Sequence, residues 1–207
     1  MTAFAAEIKR GRKYDQVVDG AREIFMRDGF EGASVDDIAR AAGVSKATLY
    51  SYFPDKRLLF SEVARIECNR QAEEAIALIG VHETIENVLH EAAHILVRFY
   101  LSDFGKQVYR ICVAEADRFP ELGQSFYQSG PMLARQRLSA VLAPFVEKGD
   151  LVISDMNLAT GQFTELCKSE LFVRALCGVQ KQFTDAEIAR VAEGAVLMFL
   201  ARYRKRV

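Results

Sequence analysis

The segment "GVSKATLYSYFPDK", residues 43–56, sets hydroxyls, aromatics and a lysine between a glycine and a proline-aspartate turn. On a helical wheel Ser45, Leu49 and Phe53 fall on one side and Ala47, Thr48, Tyr50 and Ser51 on the other, with Lys46 and Tyr52 flanking. Hydroxyls and an ammonium suit phosphate oxygens and base edges, and the methyl groups of Ala47 and Thr48 can meet thymine methyls. Backbone N–H groups at helix N-termini add phosphate donors, and Ser34 and Lys56 stand at two such ends. This is the chemistry of a reading head for the DNA major groove. The competing account is a small helical bundle whose polar face is simply solvated.

A second pattern, "HEAAH" at residues 90–94, matches the H-E-x-x-H zinc-hydrolase spacing. His90 and His94 stand one helical turn apart, Glu91 would be the general base, and Glu115 is the candidate third ligand. No strand or cleft signature accompanies the motif, so the expectation is no enzyme, no cofactor and no metal, with partly buried histidines on an ordinary helix. Glu115 itself lies on an apolar face with Phe104, Val108, Ile111, Cys112 and Phe119. A carboxylate there needs a ligand or a cation, and an internal pair with an arginine is the simpler answer.

The elements that position these residues read as helices almost throughout. Val17, Val18, Ala21, Ile24 and Phe25 recur at helix-face spacing up to Gly29. Ser34 caps a second helix with Asp37 placed to reach back, and Gly43 ends it. Ser45 caps a third, Pro54 stops it, and Asp55 caps a fourth. Further helices are expected at 83–101, 104–117, 120–148 with a kink at Gly130-Pro131, 155–178 and 184–205, about nine in all. The run "LVI" at 151–153 reads as a loop.

Composition excludes several classes. At 207 residues with net charge −1 the chain is ordinary globular material, so a nucleic-acid binder of this kind must concentrate its basic residues locally. No apolar run approaches the roughly 18 residues of a membrane span, and the N-terminus does not read as a secretory signal. Four scattered cysteines, Cys68, Cys112, Cys167 and Cys177, read as buried reduced thiols of a cytoplasmic protein. The basic "KRGRK" at residues 9–13 reads equally as a solubilising tail or as a phosphate or minor-groove arm.

From Val17 to Phe60, "AREIFMRDGFEGASVDDIARAAGVSKATLYSYFPDKRLLF" and the residues before it resemble the DNA-binding domain of the TetR/AcrR transcriptional regulators. The stretches "AEADRFPELGQSFYQSGP" and "EKGDLVISDMNLATGQFTEL" resemble the AefR-like C-terminal group of that family. The resemblance implies an all-α protein with a helix-turn-helix domain over residues 1–55 and an effector-binding and dimerisation domain over 56–207. It implies double-stranded operator DNA, a small-molecule effector and a second copy of the chain as partners, with repression as the usual outcome. By the same resemblance Lys46, Ala47, Thr48 and Tyr50 approach bases or nearby phosphates, and Ser34, Tyr52 and Lys56 hold the DNA backbone. Ser45 caps its helix, touches DNA, or both.

For the effector, aromatic and soft residues concentrate on the middle helices. The candidate pocket comprises Phe99, Phe104, Val108, Cys112, Glu115, Phe126, Tyr127 and Phe163, with Tyr100, Tyr109 and Met132 nearby. The apolar stripe Ile188, Val191, Ala192, Ala195, Val196, Phe199, Leu200, Tyr203 and the residues Leu158, Leu166 and Leu171 are candidates for a four-helix contact with a second copy, or else for the monomer's own core. A sequestering protein with a vestigial head is the alternative of another class, and the intact set Lys46, Thr48, Tyr50 and Lys56 argues against it.

Overall fold

Capping residues and glycines divide the N-terminal third as the sequence predicts. The computed structural model describes residues 11–79 and 84–205. Helix α1 (Arg12–Gly32) is broken at Gly29, whose φ of +71° only glycine adopts without strain, so Phe30–Gly32 forms a separate last turn. Helix α2 (Val35–Ala41) starts at Ser34, whose hydroxyl oxygen accepts from the Asp37 N–H at 3.0 Å. The Asp37 carboxylate reaches back to the Ser34 hydroxyl at 2.6 Å. Gly43, at φ +63°, turns the chain into α3 (Lys46–Tyr52), capped by Ser45 through the Thr48 N–H at 3.1 Å. Pro54 follows, and Asp55 accepts from the Arg57 N–H at 2.7 Å as α4 (Lys56–Ile79) begins.

The remaining helices are α5 (Ile85–Leu101), α6 (Asp103–Ala114), α7 (Pro120–Tyr127), α8 (Leu133–Glu147), α9 (Met156–Leu166), α10 (Leu171–Leu176) and α11 (Asp185–Tyr203). The kink expected at Gly130-Pro131 takes the form of a π-helical turn, Gln128–Met132, between α7 and α8. Proline lacks the N–H that an α-helical ladder needs, and the wider turn accommodates the lost bond. Residues 151–153 form a loop with a single bridge, Leu151 to Arg204.

The single helix expected over 155–178 is instead two, α9 and α10. Glu170 makes the break with a φ of +63°, unusual for a residue with a side chain. Its carboxylate accepts from Arg174 at 3.0 Å and Arg190 at 2.7 Å, which hold the strained position and keep the carboxyl below its usual pKa, Arg190 contributing most. Cys177, at the end of α10, is exposed, whereas Cys68, Cys112 and Cys167 are buried.

Contacts group the chain into two compact units, residues 1–67 with 107–126, and 68–106 with 127–207. The boundaries of this grouping cross α4, α6 and the last residue of α7. In the second unit α5 packs on α11, and α8 and α9 on each other. Val88, Leu89, Ala92, Ala93 and Val97 meet Ile188, Val191, Ala192, Ala195, Val196 and Phe199 in one core. The α11 stripe is thus the monomer's own interior, not a face left for a second copy, and Leu171 lies there too. Outside that core Leu158 is 56 % exposed, and Leu197 and Met198 are 60 % and 62 % exposed.

Candidate nucleic-acid interface

Helix α3 is fixed from beneath by two side chains. Leu49 and Phe53 are buried, and Phe53 lies against Tyr14 of α1 with ring centroids 5.5 Å apart. Tyr14 also meets Tyr52 edge-on at 5.9 Å and donates its hydroxyl to Glu62, whose carboxylate accepts from Arg65 at 2.7 and 2.8 Å. Tyr14 is a positioning residue that the sequence reading missed. Its only signal was an apolar ring three residues before Val17, on the same helical face.

The opposite face of α3 is open. Lys46, Ala47, Tyr50 and Ser51 are exposed and Thr48 half-buried. Ser45, placed by the wheel on the inner side, is also exposed, because an N-cap lies outside the helical ladder. Its hydroxyl is shared with Thr48 at 2.9 Å, and Ser51 donates to the Thr48 carbonyl at 2.6 Å. These local bonds hold the hydroxyls in fixed directions. Lys46 pairs with Asp36 of α2, but both side chains are more than half exposed, so a phosphate can displace the acid at little cost.

Ser34 and Tyr52, read from sequence as backbone contacts, stand exposed and half-buried respectively. Lys56 has a second use. Its ammonium donates to the carbonyls of Phe30 at 2.9 Å and Ala33 at 3.0 Å and lies 4.4 Å above the Phe30 ring. A cation at the open carbonyls that end α1 stabilises that helix, leaving one N–H for any outside acceptor. Of the basic arm, Lys9 and Arg10 lie outside the described residues, while Arg12 and Lys13 are exposed in the first turn of α1.

Glu115 finds the arginine expected for it. Arg57 Nε bonds its carboxylate at 3.2 Å while the same guanidinium reaches Asp55 at 3.1 Å. Gln107, on the part of α6 that belongs to the first unit, accepts from the Phe30 N–H at 3.3 Å. Among the described residues no group of His, Cys, Asp and Glu is spaced to hold a metal ion, so His90, His94 and Glu115 are not assembled as a site.

The candidate pocket residues divide between the units. Val108 and Cys112 are buried in the first, with Glu115 half-buried and Phe126 ring to ring with Tyr109 at 5.9 Å. Phe99 and Phe104 are in contact in the second at 6.4 Å, and Tyr127 is half exposed. Phe163 is fully buried against Phe199 at 5.3 Å and belongs to the core, not to a ligand surface.

Comparison with known proteins bears directly on this arrangement. Residues 17–63 match the profile of bacterial regulatory proteins, tetR family, and residues 87–205 match that of the AefR-like transcriptional repressor, C-terminal domain. The chain belongs to the TetR family. The solved structure of the flavonoid-responsive regulator FrrA is 31 % identical, covering 96 % of this chain and 100 % of FrrA with a TM-score of 0.70. A TetR-family transcriptional regulator from Mesorhizobium loti MAFF303099 is 26 % identical, covering 94 % and 98 % of the two chains with a TM-score of 0.81. The HTH-type transcriptional repressor AcnR of Corynebacterium glutamicum is 32 % identical over 89 residues, 43 % of this chain and 47 % of AcnR. The match thus spans about half the length of that curated relative. Among the described residues of this TetR-family chain, no helix is long and apolar enough to cross a membrane.

Proposed function

We propose that this TetR-family chain is a cytoplasmic, homodimeric repressor that binds a palindromic operator through α3 and leaves it when a small molecule binds the C-terminal region. The observation that carries the reading is the two-sided α3, with Leu49 and Phe53 anchored beneath and Lys46, Ala47, Thr48 and Tyr50 turned to solvent. Two-fold pairing would set two such helices about 34–36 Å apart, one turn of duplex. Exposed Leu158, Leu197 and Met198 on α9 and α11 are the apolar surface for that pairing. Ser34 and Tyr52 hold DNA phosphates beside the reading helix, and the third N–H of Lys56 does the same.

Release requires the effector to prefer a state in which the two heads no longer match the operator; tight binding without that preference changes nothing. Helices α4 and α6 each run from one compact unit into the other, so a change in the second unit has a continuous path into the first. The FrrA name marks that relative as responsive to flavonoids, which supports a small aromatic effector here as well. The test is selection of bound duplexes from genomic DNA by the purified protein, followed by challenge of the recovered site with small molecules. A palindromic site that at least one small molecule releases is expected. Failure to enrich any duplex, or a site that no small molecule releases, counts against the reading.

A further inference from the structure

The backbone of Phe30 is held from two helices at once. Gln107 of α6 accepts from the Phe30 N–H at 3.3 Å. Lys56, the first residue of α4, donates its ammonium to the Phe30 carbonyl at 2.9 Å and to the Ala33 carbonyl at 3.0 Å. All of these residues belong to the first unit. The Phe30 ring is fixed separately, against Phe25 and Phe60 with centroids 6.0 and 5.2 Å away. Its backbone follows Gly29, a residue free to adopt many conformations and found here at φ +71°. The Gln107 amide lies against that turn, so close that a β-carbon at position 29 would stand 2.9 Å from its nitrogen. Gln107 therefore limits the freedom that Gly29 would otherwise give the Phe30 carbonyl.

That carbonyl sets the reach of Lys56. A free lysine side chain is spread over many rotamers, and fixing it at one phosphate costs entropy at the moment of binding. Here two carbonyls and the Phe30 ring, 4.4 Å from the ammonium, hold it in advance, so the third N–H has a set direction. The base of the same lysine is tied as well. Asp55 accepts from the Arg57 N–H at 2.7 Å, and the Arg57 guanidinium bonds Glu115 of α6 at 3.2 Å. Lys56 thus stands between two contacts with α6, Gln107 acting near its tip and Glu115 beside its backbone.

We infer that Gln107 is a positioning residue for DNA binding, which orients the Phe30 carbonyl and through it the ammonium of Lys56. The inference rests on the reading of Lys56 as a contact to the DNA backbone, and it extends the binding machinery from the three helices of the head into α6. Gln107 acts without touching DNA. Because a phosphate contact carries no sequence information, its effect is the same on every duplex.

The experiment measures binding of the full-length protein to the selected operator and to a scrambled duplex over a series of salt concentrations, well below the melting temperature of every variant. Gln107→Met should weaken both duplexes by about fivefold, the worth of one hydrogen bond, with their ratio unchanged. It should also lower the slope of log affinity against log salt toward the value of Lys56→Met. Added to Lys56→Met, it should change affinity by less than about twofold, because the lysine it acts through is gone. Gln107→Ala removes the same acceptor and repeats the test without a long side chain against Gly29. The inference is overturned if both Gln107 variants bind DNA as wild type does. It is also overturned if their loss persists in full beside Lys56→Met, since Gln107 would then serve the fold alone. Lys56→Met separates the two readings. Weakened binding in that variant with none in the Gln107 variants sinks this inference alone, whereas wild-type binding by Lys56→Met removes the backbone-contact reading and this inference with it.

Discussion

Gly20 lies so close to Ala42 that a β-carbon at position 20 would sit 2.5 Å from the Ala42 backbone nitrogen. The absence of a side chain lets α1 touch the end of α2, and the turn at Gly43 then leads into α3. Backbone cannot yield as a flexible side chain can. Gly20→Ala should therefore destabilise the first unit by about 1–3 kcal/mol and weaken operator binding in proportion. Thermal melts of the variant beside wild type check this, and an unchanged Tm would mean the contact is looser than described.

The two lysines of the head should separate. Lys46 faces solvent in an exposed pair with Asp36, so Lys46→Ala should leave stability nearly unchanged. It should weaken binding to every sequence and reduce the slope of log affinity against log salt by about one. Lys56→Met removes a charged donor from the Phe30 and Ala33 carbonyls and should cost about 1–3 kcal/mol of stability as well. Paired melts and salt titrations of both variants distinguish a surface contact from one that also closes α1.

The thiols give a direct check on burial. Burial pushes Cys112 and Cys167 up to about 12, which leaves almost no thiolate at neutral pH, whereas Cys177 is exposed. A disulfide reagent should label Cys177 quickly in the folded protein, and the other three cysteines only on unfolding. Rapid labelling of two or more would contradict the described cores.

Much of the head was legible because each boundary is marked by a residue with a local reason to be there. Ser34 and Ser45 cap, Gly29 and Gly43 turn, and Pro54 stops α3. The break between α9 and α10 carries no such mark. Glu170 holds a left-handed conformation through arginines four and twenty residues further along the chain, and only the fold brings Arg190 to it. The α11 stripe was legible as apolar, but periodicity is the same whether the surface meets its own chain or a copy. Phe163 was counted with the pocket for the same reason, since a ring in a core and a ring beside a ligand have one signature.

Acid should weaken the end of the second unit through Glu187. Its carboxylate accepts from the Thr184 N–H at 2.8 Å, the Thr184 hydroxyl at 2.9 Å and Gln180 at 3.1 Å, closing the capping box of α11. The Thr184 backbone bond leads in holding the carboxyl down to about 2. A carboxylate held below its unfolded value stabilises the fold above that value, and the contribution fades as pH falls from about 4.5 to about 2. Thermal melts should show wild type more stable than Glu187→Gln near neutrality, with the gap closing over that range. A gap independent of pH would mean the carboxylate's charge is not what the cap uses.

The central claim is that the outer face of α3 reads a duplex. The most direct measurement compares wild type and Thr48→Ala by fluorescence anisotropy across single-base variants of the selected operator. The account predicts an unchanged Tm and a preference altered at one symmetric pair of positions, by about 1–3 kcal/mol for the base that Thr48 meets. Equal affinities of the two proteins for every variant would contradict it.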